Sequence, residues 1–220
     1  MKGIDDLVSG FRRFQKRYFS EQHGLYEHLA HDGQAPRIMV IGCSDSRVDP
    51  AIITDCDPGD LFVVRNVANL VPPYENDGGH HGTSAALEFA VRGLGVAHVV
   101  VLGHARCGGI RALLGELNID GGAEFIGPWM SIADVARQAV AREHADETFD
   151  GQARACELAA LRVSLHNLAT FPFVREAVDA GRLQLHGWYF DIERGELLGY
   201  VPGQDRFETV VAGLGALSGT

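Results

Sequence analysis

Apolar positions follow two rhythms along this chain. Ile4, Leu7, Val8, Phe11, Phe14, Tyr18 and Phe19 recur at three- and four-residue steps with Arg and Lys between them, the spacing of an amphipathic helix. Farther on, short continuous apolar runs such as Ile38–Ile41 and Val99–Leu102 have the character of strands buried on both faces. The pattern predicts strands over 37–42, 61–65, 97–102 and 183–190. Glu193-Arg194-Gly195-Glu196 then turns the chain into a last strand ending at Val201. Helical spacing falls at 50–54, 83–93, 108–114, 129–143 and 153–168, with a short helix after Phe171-Pro172. Pro36, Asp57-Pro58-Gly59-Asp60 and Asp150-Gly151 punctuate these segments. Strand–helix alternation closed by a hairpin implies an α/β fold: a central, mostly parallel sheet with an antiparallel edge, flanked by helices. We expect one domain over 1–220, with a helical arm (1–35), an α/β core (36–202) and a tail (203–220) ordered only in part. So aromatic a stripe on the arm calls for a partner, either its own domain or a second subunit.

Charge and composition narrow the possibilities. The net charge of −10, from 29 acidic against 19 basic residues, argues against a nucleic-acid groove or an anionic membrane as partner. No apolar run approaches the roughly 18 residues of a membrane span. Met1-Lys2-Gly3-Ile4-Asp5-Asp6 lacks the basic and apolar segments of an export signal, so a cytoplasmic location with reduced cysteines is expected. Of the four cysteines, Cys56 and Cys156 sit in unremarkable surroundings and are expected to be free structural thiols.

The other two cysteines stand where chemistry collects, at the carboxyl ends of predicted strands. Cys43-Ser44-Asp45-Ser46-Arg47 closes the first, and Gly103-His104-Ala105-Arg106-Cys107-Gly108-Gly109 closes the third. Adjacent parallel strands would bring Cys43, His104 and Cys107 to one point. Three thiolate or imidazole ligands without a fourth match a catalytic zinc with an open position, rather than a structural zinc built from two tight pairs. A helix starting at Gly108-Gly109 favours the Cys107 thiolate. Asp45 lies two residues from a ligand; held by Arg47, it would be a fixed acceptor for a proton at the open position. If that pair breaks, Asp45 is itself a possible fourth ligand. Arg65-Asn66 ends the second strand, and Ser44 and Ser46 are expected to brace the loop. His80 and His81 read as loop histidines, while His98, His166 and His186 read as structural. Only three residues separate Cys43 from Arg47, against the five of a phosphatase thiol loop, and Gly103–Gly109 does not match a dinucleotide fingerprint.

Together the two motifs resemble those of the β-class carbonic anhydrases. Arg65-Asn66-Val67-Ala68-Asn69, Val71-Pro72-Pro73-Tyr74 and Ala85-Ala86-Leu87-Glu88-Phe89-Ala90 are similar to the plant-type branch, and Gly187-Trp188-Tyr189-Phe190-Asp191 to bacterial members. The resemblance implies one Zn2+ per chain on Cys43, His104 and Cys107, with a catalytic dyad of Asp45 and Arg47. It implies a substrate pocket of Gln34, Phe62, Val67 and the Gly108 N–H. The implied activity is that of a carbonate dehydratase, reversible hydration of carbon dioxide to bicarbonate and a proton by metal-bound hydroxide. The implied assembly is a homodimer or homotetramer with pocket residues shared between subunits, the amino-terminal helix packing on a partner. Hydrolysis of carbonyl sulfide or carbon disulfide on the same zinc, or a non-catalytic zinc-stabilised oligomer, are the alternatives. Val40 stands where a bicarbonate-inhibited branch has Trp, which favours the open site, and Phe89 replaces a pocket Tyr.

Overall fold

A computed structural model describes residues 3–21, 24–116 and 124–214. The chain divides into two compact units, 1–35 and 36–220. In the first, α1 (Ile4–Lys16) passes into a wider turn at Arg17–Glu21, and α2 (Leu25–Asp32) follows. At the start of α1, Asp6 accepts a hydrogen bond from the Gly3 N–H at 2.8 Å. No residue of α1 is buried: Ile4, Leu7, Val8 and Phe11 are 50–74% exposed. Phe14 and Phe19 do find aromatic neighbours in Tyr18 and Tyr26.

The second unit is built on a six-stranded sheet of order β2-β1-β3-β4-β5-β6. Its strands are β1 (Ile38–Cys43), β2 (Leu61–Asn66), β3 (His98–His104), β4 (Gln184–Asp191), β5 (Glu196–Val201) and β6 (Arg206–Val211). The first four in this list run parallel, and β5 and β6 are antiparallel. β6 lies within the expected tail and is a strand the sequence pattern did not predict. It was hidden because its apolar residues, Phe207, Val210 and Val211, do not keep strict alternation, and only Phe207 is half-buried.

Side chains of β1 and β3 alternate between faces. Met39, Ile41, Val99 and Val101 face Leu87, Leu161, Leu168 and Val174, whereas Val40, Val100 and Leu102 face Ile53 and Trp188. The helices are α3 (Pro50–Ile53), α4 (Gly82–Glu88, continued by a wider turn to Leu94), α5 (Gly108–Leu113), α6 (Ile126–Met130), α7 (Asp134–Glu143), α8 (Phe149–Leu168) and α9 (Pro172–Asp179). α8 begins one turn before the expected Ala153. Thr148 caps it by accepting from the Gly151 N–H, so Asp150-Gly151 forms the first turn instead of a break. α8 lies close on the sheet because Gly187 has no side chain; a Cβ there would stand 2.5 Å from Leu161.

Candidate metal centre

β1 and β3 are hydrogen-bonded neighbours, and their carboxyl ends coincide. The sulfurs of Cys43 and Cys107 and a ring nitrogen of His104 consequently lie within 4.8 Å of one another, all on buried residues. Ligands at about 2.3 Å (sulfur) and 2.0–2.1 Å (nitrogen) around a tetrahedral zinc would stand about 3.5–3.8 Å apart, inside that limit.

Electrostatics support a cation. His104 Nδ1–H donates to the Ala105 carbonyl at 2.8 Å. A carbonyl can only accept, so the lone pair sits on Nε2, and Nε2 is buried without a hydrogen-bond partner. Burial opposes a charge on His104, but the Cys43 sulfur beside it pulls its pKa up. The two sulfurs cannot both ionise unaided: their shared hydrogen bond drives the Cys43 pKa down and the Cys107 pKa up. A divalent ion among the three would take the orphaned lone pair and let both sulfurs be thiolates, so the donor set fits zinc.

The loop after Cys43 is held rigidly. Asp45 accepts from Arg47 three times, from its N–H (3.0 Å) and Nε (2.9 Å) at Oδ1 and from Nη2 (2.7 Å) at Oδ2. These contacts lower the Asp45 pKa to about 2, so the carboxylate stays ionised. Arg47 Nη2 also reaches the Arg106 carbonyl, tying the first motif to the second. The brace on the loop is Arg65, which donates to the carbonyls of Cys43 (2.8 Å) and Asp45 (2.7 Å) and to Asp49 Oδ2 (2.8 Å). Asn66 is engaged as well, in both directions with Leu70 and with Thr83 Oγ1.

Of the expected pocket residues, Val67 and Gly108 are at this centre. Val67 follows β2, its carbonyl accepts from Trp129 Nε1 at 2.8 Å, and its Cγ1 would lie 2.7 Å from a Cβ on Gly109. Gly109 is therefore required by close approach. A Cβ on exposed Gly108 would meet nothing within 4 Å. Phe62 is elsewhere in its own chain. It pairs in register with Met39, four residues back from the Cys43–Asn66 pair and so about 13 Å along the strand. There it packs on the core and on Phe89, ring to ring at 5.7 Å. Gln34 belongs to the 1–35 unit and is exposed.

The residue missed by sequence reasoning is Glu157 on α8. It is 5% exposed; Oε1 accepts the Cys107 N–H at 2.9 Å and Oε2 the Tyr189 hydroxyl at 2.7 Å. Burial raises its pKa, against the pull of those two donors. A lone Glu in a helix fifty positions from Cys107 carries no local signal; the hint was an acidic residue among apolar and small neighbours. Cys56 and Cys156 are free, and burial lifts the Cys156 pKa to about 11.

Comparison with known proteins points to one family. A family model described as carbonic anhydrase matches residues 38–197. β-Carbonic anhydrase 5 of Arabidopsis thaliana, a chloroplastic protein, is 41% identical over 86% of this chain; the match spans 62% of that relative, less than two thirds of its length. The structure of the β-carbonic anhydrase CcaA is 34% identical, with a TM-score of 0.88 over 95% of this chain and 92% of that one. Two tetrameric β-carbonic anhydrases of the ascomycete Sordaria macrospora, solved together, give 30% identity and a TM-score of 0.70 over 95% of this chain and 94% of the matched one. With the family match, the shared sheet and the Cys–His–Cys cluster all pointing the same way, the chain belongs to the β-carbonic anhydrases.

Proposed function

We propose that the protein is a zinc-dependent carbonate dehydratase that hydrates carbon dioxide reversibly to bicarbonate and a proton. The observation that carries this reading is the buried cluster of Cys43, His104 and Cys107 beside an Asp45 locked by Arg47. Cys43 and Cys107 through sulfur, and His104 through Nε2, would hold one zinc per chain. Zinc held there would act as a Lewis acid and make water acidic enough to supply the nucleophile near neutral pH.

The chain's own residues do the rest. Asp45 is ionised and fixed on both oxygens, so it can only accept a hydrogen bond; it orients a protonated nucleophile and turns its lone pair toward carbon. Arg47 positions that carboxylate. Val67 supplies an apolar wall for an apolar substrate, and the Gly108 N–H is the donor for charge developing on a carbon dioxide oxygen. Gln34 and Phe62 complete the pocket from a second copy, which agrees with the place of Phe62 down its own strand. The assembly is a homodimer or homotetramer: the uncovered apolar face of α1 and the tetrameric Sordaria relatives support it. No described helix is long and apolar enough to cross a membrane. Free, zinc-ready thiols suit a reducing compartment, and we place the protein in the cytoplasm.

Stopped-flow hydration of carbon dioxide, run beside carbonyl sulfide and carbon disulfide hydrolysis, tests the assignment. Zinc-loaded protein should hydrate carbon dioxide far above background, and Asp45→Asn should keep zinc yet lose about 100-fold in rate. Background-level hydration by zinc-loaded protein, or preference for a sulfur substrate, would overturn it.

A further inference from the structure

We propose that His98 and His186 form a second site for an imidazole-binding transition-metal ion, at the opposite end of β3 from the Cys–His–Cys centre. β3 and β4 are parallel neighbours with Gln184 opposite His98 and His186 opposite Val100, so the two rings stand diagonally on one face of the sheet. His98 Nδ1 and His186 Nε2 are 3.2 Å apart, with ring centroids at 5.3 Å and planes inclined by 49°. Two imidazole nitrogens bound to one ion at about 2.0–2.1 Å are about 2.9 Å apart at a right angle and about 3.4 Å at the tetrahedral angle. The observed separation falls between these values, so the strands already set the two nitrogens at a chelating distance, and the rings need only turn to aim both lone pairs at one ion.

The local chemistry suits this use. Both rings are half-buried rather than sealed, which leaves the outer coordination positions to water. Burial, then the neighbouring His98, keeps the His186 pKa below the ordinary histidine value and the ring neutral, the form that binds metals. In the neutral pair one ring donates its proton to the other. Metal binding requires each ring to carry its proton on the far nitrogen, a tautomer change that leaves the charge unaltered. Among the described residues, the group offering three His, Cys or carboxylate ligands is the Cys43–His104–Cys107 cluster. The histidine pair therefore gives two nitrogen ligands and no carboxylate. Such a donor set favours Cu2+, Ni2+ and Zn2+ over Mg2+ or Ca2+. From His98 to His104 is six residues, about 20 Å of strand, so an ion here does not touch the reacting atoms.

Ni2+ is the probe, since it does not oxidise thiols, and it is titrated calorimetrically into protein whose Cys–His–Cys centre already holds zinc. The expected result is one further Ni2+ per chain. His98→Gln and His186→Gln should each weaken that uptake by at least about tenfold, because losing even an outer partner of a metal ligand costs 10–100-fold. Hydration by either zinc-loaded variant, measured before nickel is added, should match the unaltered protein. As a check that needs no variant, anomalous scattering from a nickel-soaked crystal should place a peak between the two rings. No uptake beyond the zinc, nickel binding unchanged in both variants, or no peak between the rings would each overturn the proposal and leave the catalytic assignment untouched.

Discussion

Glu157 gives a quantitative test of how the metal loop is held. Its carboxylate is 5% exposed and accepts from the Cys107 N–H at 2.9 Å and from the Tyr189 hydroxyl at 2.7 Å, so it joins α8, β4 and the ligand loop. Glu157→Ala strands a buried N–H and a buried hydroxyl, each at about 1–3 kcal/mol, and opens a void, for an expected loss of about 3–5 kcal/mol. Glu157→Gln retains an acceptor for the Cys107 N–H but sets an amide N–H2 against the Tyr189 hydroxyl, which must rotate to accept. Its loss should be about 1–2 kcal/mol. Tyr189→Phe removes one of the carboxylate's donors and should cost a similar amount. In the Glu157→Gln background the tyrosine change should cost about 1 kcal/mol less, because the contact it removes has already been weakened. Urea unfolding of the parent and the four variants at one saturating zinc concentration measures these values, and chelator competition should show weaker zinc binding for Glu157→Ala. Alanine and glutamine variants both within about 0.5 kcal/mol of the parent, with unchanged zinc affinity, would refute the reasoning.

Other outcomes follow from neighbouring contacts. Arg47→Ala frees Asp45 to rotate and releases the Arg106 carbonyl, so hydration should fall about 100-fold while bound zinc is unchanged; equal activity in a stopped-flow assay would count against the dyad. At Asp191, burial pushes the carboxyl pKa up, but the Arg154 ion pair at 2.7 Å and the N–H groups of Glu193 and Arg194 outweigh it and leave the pKa below the ordinary value. A depressed carboxyl pKa stabilises the fold above the unfolded value near 4, and that contribution is lost as pH falls through the folded value. Asp191→Asn should therefore cost about 2 kcal/mol at neutral pH and show a shallower stability loss in acid, read from denaturation midpoints between pH 6 and 3. Gly109→Ala would place a Cβ 2.7 Å from Val67 and 3.1 Å from Ala68, and should lower stability by about 1–3 kcal/mol in thermal melts.

The parts of this molecule legible in the sequence are those with local physical signatures. β1 and β3 are buried on both faces and so read as unbroken apolar runs, and the candidate metal ligands stand at or just after the strand ends. Asp45 and Arg47 are two residues apart, and their pairing needs nothing beyond the loop itself. Contacts that depend on tertiary packing left no such trace. Glu157 reaches Cys107 from a helix fifty positions on, and His98 meets His186 only through the β3–β4 register. β6 went unrecognised because its apolar residues, Phe207, Val210 and Val211, do not keep the strict alternation of a half-buried strand, and the early start of α8 because Thr148 captures the Asp150-Gly151 pair that reads as a break.

We propose that two thiolates and one imidazole hold the ion on which activity depends. The decisive measurement is zinc remaining after exposure to a moderate chelator, counted per chain alongside carbon dioxide hydration on the same samples. The prediction is one chelator-resistant zinc per chain with high activity in the parent protein, and both lost together in Cys43→Ala, His104→Ala and Cys107→Ala. Hydration that persists in a zinc-free variant, or tightly held zinc in a chain lacking Cys43 and Cys107, would contradict it.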